Sequence, residues 1–598
     1  MEPITYEVDL TARLQHLVTV TMRVPADVAA GARLVVPTWT PGSYVERNYV
    51  HHLQSGHAVD AEGSEVSLRP DGHTAFALPD DVTGPVTVTL EWYAHDLTVR
   101  TNHVDDHHAL LVPPATFPYV EGATDREHRV TVTPTDGHTV WSLLPDDDVD
   151  DGASTSRADD YLHLVDSAFE VGDFPTIEFA VDGVPHRWVH ASHGGDIDLD
   201  RVEQDVTAIS GVARELFGGD LPLSSYTFLC VGADDAGGGG GLEHRDGSVL
   251  MLPVLTDATD KGVRRTRSLV THEYLHLWNI KRLVPAELLE FTFDRPQHTT
   301  SLWVAEGWTA YYDDLLPTRA DLFTAREYLD ALRDDIAWVE RTPGAARQSV
   351  TDASWNAWTG LYVRDENSVN SGTNYYTHGA VLALWLDLLI RSEAPDGDGL
   401  DDAFRLLWER FGHAQPTGYP TRGYTHQDVV TALSDAAGRD LSDEVATHVE
   451  GTVLPPVRDV LAVVGLQVHE EDPDVVRPEL GVHVRDEGRN IIVTSALRDG
   501  PAWRGGVTGG DRLVAVDDLL VGAGELDRVL SGFREGDQVT VTVARGSRLL
   551  RLPVVLGPPK TRLRVDAVDD PSDDQTAMFA RWSGRDLGDL AGSETPAE

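Results

Sequence analysis

Ser268-Leu-Val-Thr-His-Glu-Tyr-Leu-His-Leu-Trp278 carries two histidines four residues apart, His272 and His276, with Glu273 directly after the first. On an α-helix, residues at i and i+4 lie on one face, so both imidazoles point the same way. That geometry lets two nitrogen ligands reach one tetrahedral zinc ion. Glu273 is then close enough to take a proton from a metal-bound water, and sites of this kind hydrolyse peptide bonds. In a chain with 25 histidines the pattern alone is weak, since two helix histidines flanking a surface glutamate would read the same. The neighbours decide between the readings. Leu269, Val270, Leu275 and Leu277 make this helix mostly apolar, buried imidazoles need partners, and one metal ion serves both.

A catalytic zinc needs a third protein ligand and one open position. The stretch from Thr299 to Pro317 reads as a second helix, with Thr299, Thr300 or Ser301 able to cap its start and Pro317 expected to stop its end. Leu302, Trp303 and Ala310 surround Glu306, so this carboxylate turns inward, where it needs a cation. A buried salt bridge to Arg282 is the alternative to metal ligation. Thr309, one turn on, is placed to steady the carboxylate.

Five glycines, Gly237 to Gly241, stand between two strand-like runs, Tyr226 to Val231 and Ser248 to Leu252. A flexible linker is one reading. The other is a strand edge along which Gly240 and Gly241 admit close approach of an extended peptide. Leu242-Glu243-His244 follows. Further on, Asn370-Ser-Gly-Thr-Asn-Tyr375-Tyr376-Thr-His378-Gly379 precedes an apolar helix, Ala380 to Ile390. A tyrosine is a donor that stays neutral at pH 7, which suits it to an oxyanion.

Taken together these segments resemble the glycyl aminopeptidase family of gluzincin zinc metallopeptidases. The family's H-E-Y-x-H-x-W-N-x-K-R helix reads here His272-Glu-Tyr-Leu-His-Leu-Trp-Asn-Ile-Lys-Arg282. Its L-W-x-x-E-G reads Leu302-Trp-Val-Ala-Glu306-Gly307, and its W-T-P-G-S-Y reads Trp39-Thr-Pro-Gly-Ser-Tyr44. Within the last, Pro41-Gly42 is first of all a turn. The resemblance spans nearly the whole chain except a short tail. It implies one Zn2+ per chain held by His272, His276 and Glu306, with Glu273 as general base. It also implies that Glu243 binds the free α-amine of a peptide, with Gly240, Gly241 and His244 among the substrate contacts, and that small N-terminal residues such as Gly or Ala are preferred. Tyr376 falls where related enzymes carry the oxyanion tyrosine, although His378 stands where lysine is usual. Tyr375, otherwise a substrate contact, is the competing choice.

The resemblance and the hydrophobic patterning together give a multidomain α+β fold class. Alternating strands such as Ile4 to Leu10, Leu17 to Val24, Val86 to Trp92 and Arg129 to Thr133 predict an N-terminal antiparallel β-sandwich over 1–185. A thermolysin-like, mainly helical catalytic domain is expected over 186–455, with helices at Leu199 to Phe217, Leu322 to Val339, Ala380 to Arg391, Asp402 to Phe411 and Gln427 to Ala437. Residues 470–557 resemble a bacterial PDZ domain. There Leu480, Gly481 and Val482 form the carboxylate-binding loop, and Pro501 to Val514 fits the P-A-x-x-A-G-x-x-x-G-D-x-L pattern with Gly505 at the usual Ala. This groove either takes a C-terminal peptide or serves only to dock the module on the catalytic domain. Residues 558–598 read as an acidic tail, partly disordered except around Met578 to Trp582.

The formal net charge is −50, and only Lys261, Lys281 and Lys560 supply lysine. Phosphate repulsion argues against nucleic acid and against anionic membrane surfaces. The single cysteine, Cys230, sits in an apolar strand and fits a reducing compartment. With no basic, apolar leader after Met1, a cytoplasmic location is expected. Peptides with a free N-terminus are the expected substrates. A zinc endopeptidase and a non-catalytic PDZ peptide-binding scaffold are the other readings, and the intact His272, Glu273, His276 and Glu306 weigh against the scaffold. Other divalent metals also suit a two-His, one-Glu site.

Overall fold

The structure is a computed structural model of the 598-residue chain. It describes every residue except 135–136, 151–152, 193–196, 234–239, 254–259, 474–475 and 591–598. Gly237 to Gly239 of the glycine run and the last eight residues of the tail thus lie outside the described residues. The chain divides into two compact units, one made of 1–299 with 407–425 and the other of 300–406 with 426–598. The expected catalytic stretch, 186–455, is shared between them.

In the first unit, an eight-stranded sheet runs in the order Asp146–Asp150, Ala153–Ala158, His128–Thr133, Ile4–Asp9, Leu17–Val24, Val86–Tyr93, Leu53–Val59, Glu65–Val66. The alternation seen in the sequence is real burial: in Leu17–Val24, valines 18, 20 and 24 and Met22 are buried while the threonines between are half exposed. One expectation needs correction, because the sheet is not wholly antiparallel. Ile4–Asp9 runs parallel to His128–Thr133, with Ile4 opposite His128. Alternation fixes the face of a strand but not its direction, so the sequence carried no sign of this.

A second sheet of this unit has the order Thr176–Val181, Val184–Ala191, Tyr226–Ala233, Gly247–Pro253, Gly240–His244. Its three middle strands are parallel, and Tyr226–Ala233 and Gly247–Pro253 carry near-continuous apolar runs as strands covered on both faces do. Cys230 is buried there. Gly240–His244 forms the edge, antiparallel to its neighbour with Glu243 opposite Ser248. The helix Leu199–Leu216 is capped by Asp198, whose side chain accepts from the Arg201 N–H. The helix Asp260–Leu275 bears the two histidines.

The second unit holds the remaining helices and the strand-rich C-terminal region. Leu302–Ala305 and Gly307–Arg319 form two helical segments that meet at Glu306. Contrary to the reading of Pro317 as a stop, the second segment runs through it to Arg319. Ala325–Arg341 opens with a capping box between Thr324 and Glu327, and Thr377–Glu393 is buried on nearly every face. The PDZ-like sheet runs Val482–Glu487, Asn490–Ala496, Arg512–Val516, Gln538–Arg545, Arg548–Val555, which leaves Val482–Glu487 as an edge. Of the segment expected to be an acidic tail, residues 558–590 are described, and they include the apolar stretch around Met578 to Trp582. Arg562–Ala567 pairs with Leu466–Glu471, and the capped helix Asp573–Ser583 buries Phe579 and Trp582 completely. The acids Asp569, Asp570, Asp573 and Asp574 are exposed.

Candidate active site

In the first unit, the histidine helix is fixed by its own motif residues. Tyr274 lies between the two histidines and faces the other way. Its hydroxyl meets His186 Nε2 and Ser210 Oγ, each at 2.9 Å, tying the helix to one strand and to a neighbouring helix. Trp278 stacks on Phe217 with ring centroids 4.9 Å apart. With these anchors, the rings of His272 and His276 come within 4.7 Å, centroid to centroid, at nearly a right angle. His276 is buried, and its Nδ1 donates to the backbone oxygen of Asn279 at 3.0 Å. That bond fixes the tautomer with the lone pair on Nε2, the arrangement found in histidines that ligate metals. Two imidazoles so placed suit a zinc ion.

Glu243, Glu273 and His276 converge, each offering an atom such that all three lie within 4.8 Å of one another. Two glycines make room for the carboxylates. A Cβ on Gly241 would collide with the Glu273 carboxylate. A Cβ on Gly42 would stand 2.5 Å from both Glu243 oxygens, and Gly42 has φ +89°. The turn in the Trp39–Tyr44 motif therefore closes directly over Glu243. One Glu243 oxygen, Oε1, is buried without a hydrogen-bond partner among the described residues. A cavity beside it is lined by Trp39, Tyr44, Lys281, Leu288, Phe291 and Tyr419.

The strand alternation that aims Glu243 inward sends His244 to the opposite face. His244, expected among the substrate contacts, is engaged with a buried carboxylate. Its Nδ1 lies 3.2 Å from Asp166 Oδ1 in a buried cluster, and Asp166 also accepts from Lys281 Nζ at 2.9 Å and from the Arg245 N–H at 3.1 Å. Burial alone would lower the Lys281 pKa, but Asp166, Glu243 and Glu273 together hold it above its ordinary value. Burial likewise works against ionised Asp166, and Lys281 and His244 outweigh it. Asp166 has no motif around it, and only its pairing with Lys281 reveals its part. Arg282, the alternative partner weighed for Glu306, is engaged by Asp246 Oδ1 at 3.1 Å and by the Arg245 carbonyl at 2.9 Å.

In the second unit, Glu306 is buried at the break between its two helical segments, and the Thr309 hydroxyl donates to the Ala305 carbonyl at 2.8 Å. Gly307 and Gly379 pack backbone to backbone: a Cβ on Gly379 would lie 2.8 Å from the Gly307 Cα. That contact sets the Tyr375-Tyr376 segment against Glu306. Tyr376 has its pKa held well above the ordinary tyrosine value by burial first and by Glu306 second, so it stays a neutral donor. Its hydroxyl is 2.8 Å from that of Tyr362, a residue that no motif singles out. Tyr375 stacks on Tyr376 at 4.9 Å and is fully buried, whereas Tyr376 is half-buried. His378 is buried, neutral at pH 7 with its pKa pushed down to about 4, and 3.0 Å from the Thr373 hydroxyl.

In the PDZ-like region, the Leu480 carbonyl accepts from Ala502 and the Gly481 carbonyl from Leu497, each at 2.9 Å, and Gly481 has φ +71°. Val482 begins the edge strand.

The family model for M61 glycyl aminopeptidase matches residues 265–382, that for the peptidase M61 N-terminal domain matches 5–173, and that for the PDZ domain matches 478–556. Among solved structures, an aminopeptidase N family protein from Idiomarina loihiensis is 28% identical with a TM-score of 0.89, over 97% of this chain and 100% of that one. A more distant likeness is an M1 zinc metallopeptidase from Deinococcus radiodurans bound to a Tyr-Ser-Ala substrate, 13% identical with a TM-score of 0.46, over 76% of this chain and 94% of that one. No curated protein sequence matches the chain. With the M61 N-terminal domain, the M61 peptidase domain and a PDZ domain in this order, the chain belongs to the M61 glycyl aminopeptidases.

Proposed function

We propose that the chain is a zinc-dependent aminopeptidase of gluzincin type, cutting the first peptide bond of substrates with a free α-amine. The observation that carries this reading is the convergence of Glu243, Glu273 and His276 within 4.8 Å, which puts a spare carboxylate beside the candidate base and ligand. An endopeptidase has no need of that second carboxylate. A preference for Gly or Ala at the N-terminus rests on the family resemblance.

His272, His276 and Glu306 would hold the ion, whose chemistry is to polarise the scissile carbonyl and acidify a water. Glu243 pairs with the substrate's ammonium, so the chain end is measured from one fixed point and the first peptide bond is the one presented. Glu273 accepts the water proton on its carboxylate and passes it to the leaving amine. Tyr376 donates its phenolic hydrogen to the oxygen that gains charge. The edge Gly240–His244 offers backbone groups to an extended substrate. The Leu480-Gly481-Val482 loop and the edge strand after it would take a peptide C-terminus. The lone, buried Cys230 suits a cytoplasmic setting.

The test compares peptide amides with free and N-acetylated termini. Cleavage of free peptides only, lost in Glu243→Ala, is the expected result. Equal cleavage of both forms would remove the amine-binding role and leave an endopeptidase.

A further inference from the structure

We infer that the N-terminal strand-rich region holds a second divalent metal ion, with zinc the natural occupant, bound by His103, Asp105 and His108. Each of these residues offers one ligand atom, and the three atoms lie within 4.8 Å of one another. All three come from one hairpin, in which His103–Val104 pairs with Ala109–Leu111 and the turn runs between them.

The turn prepares the set. Asp105 Oδ1 accepts the backbone N–H groups of His107 and His108 at 2.7 and 2.9 Å, which locks the carboxylate in place. Its other oxygen, Oδ2, is hydrogen-bonded to His103 Nε2 at 3.0 Å, a contact that a bound ion would replace. For comparison, two ligands of a tetrahedral zinc at ordinary bond lengths stand about 3.3 Å apart. His108 gives Nδ1 to Glu170 Oε1 at 2.7 Å, which puts the lone pair of its neutral form on Nε2. A carboxylate behind a histidine is the usual device for orienting a metal-binding imidazole and making it a stronger donor.

Glu170 supplies an independent argument. It is wholly buried on the strand Phe169–Gly172, opposite Leu110 of the hairpin. Its second oxygen has no hydrogen-bond partner among the described residues. A buried carboxylate in contact with one imidazole is costly unless positive charge lies close by. A cation on the far side of His108 provides it. A purely structural reading, in which Asp105 only caps the turn and a protonated His108 neutralises Glu170, accounts for those bonds but leaves the second Glu170 oxygen unpaired among the described residues. Two imidazoles and a carboxylate select a first-row divalent ion over calcium or magnesium. The ion would join the hairpin to the strand of Glu170, well apart in sequence from the peptidase motifs.

The test is metal content of dialysed full-length protein. His272→Ala/His276→Ala removes the proposed catalytic ligands and is expected to keep about one zinc per chain. Adding His103→Ala and His108→Ala to it should abolish the remainder. His103→Ala/His108→Ala alone should lose one ion and retain peptidase activity. If that pair fails to fold, cobalt(II) titration of apo His272→Ala/His276→Ala keeps the idea testable: tight one-to-one binding with visible ligand-field bands supports it. Absence of stoichiometric zinc or cobalt in the His272→Ala/His276→Ala protein overturns it. Failure of the peptidase reading looks different: the wild type then holds about one ion rather than two, and that ion is unchanged in His272→Ala/His276→Ala but lost in His103→Ala/His108→Ala.

Discussion

Gly42→Ala should cripple the enzyme while leaving it folded. The added Cβ would stand 2.5 Å from both oxygens of Glu243, about 1 Å inside ordinary contact. The obstructing atoms are the tip of a flexible side chain, so the carboxylate yields rather than the backbone. A catalytic group displaced by about 1 Å costs on the order of 100-fold, or about 2.7 kcal/mol of transition-state stabilisation. A separate charge falls on stability, because alanine at φ +89° is strained by about 1–2 kcal/mol. Gly72 separates the two effects: it has the same φ of +89° with nothing within 4 Å of its would-be Cβ. Gly72→Ala should therefore lose comparable stability in urea unfolding and keep kcat/KM on an alanyl or glycyl amide. Gly42→Ala should lose about 100-fold in kcat/KM. Combining it with Glu243→Ala should add little further loss, because both act on one group. A Gly42→Ala enzyme within about threefold of wild type, or a Gly72→Ala enzyme equally impaired, would refute the reasoning.

Glu273→Gln should retain its metal and fall by about 10²–10⁴-fold in kcat, and turnover at the wild-type rate would exclude it as the base. His378 makes stability pH-dependent. Its folded pKa is about 4 against an ordinary 6.5, so its contribution is full above about pH 6.5 and is lost as pH falls and the unfolded chain binds the proton. Between pH 7 and 5 this amounts to about 2 kcal/mol, and His378→Gln should flatten the denaturation slope by that much. Trp582→Ala should cost about 3–5 kcal/mol, since the indole is fully buried and donates Nε1 to Tyr311 Oη at 2.8 Å. Unchanged unfolding would mean the C-terminal helix is dispensable.

What the sequence disclosed was local. The i, i+4 histidines, the alternation of Leu17–Val24 and the apolar run of Thr377–Glu393 are patterns that a few neighbouring residues fix by themselves, and all reappear in the structure. What it concealed was set by partners distant in the chain. Asp166 meets Lys281 across more than a hundred residues, and nothing near Asp166 announces that it will. Tyr362 gains interest only once Tyr376 lies 2.8 Å from it. His244 likewise meets Asp166 across 78 residues, a pairing that its place next to Glu243 does not announce. In the tail, the apolar stretch around Met578 to Trp582 was legible against its acidic surroundings, and it forms a helix that buries Phe579 and Trp582.

The glycines of the motifs share one physical logic. Gly42 and Gly241 stand where the carboxylates of Glu243 and Glu273 occupy the space a Cβ would need, and Gly307 and Gly379 stand where two backbones do. In none of these places is glycine there for looseness. Each marks a point where a candidate functional group, or the helix carrying it, has been pressed against main chain so that it cannot relax toward water. For Glu243 that pressure has a direct electrostatic consequence: a carboxylate shielded from solvent on one side by the Pro41-Gly42 turn binds an ammonium more strongly than one in bulk water, since the attraction is less screened. The same enclosure penalises a substrate that brings no charge. A blocked N-terminus would leave the Glu243 carboxylate desolvated and uncompensated, so discrimination between free and acetylated peptides should exceed what the lost contact alone supplies.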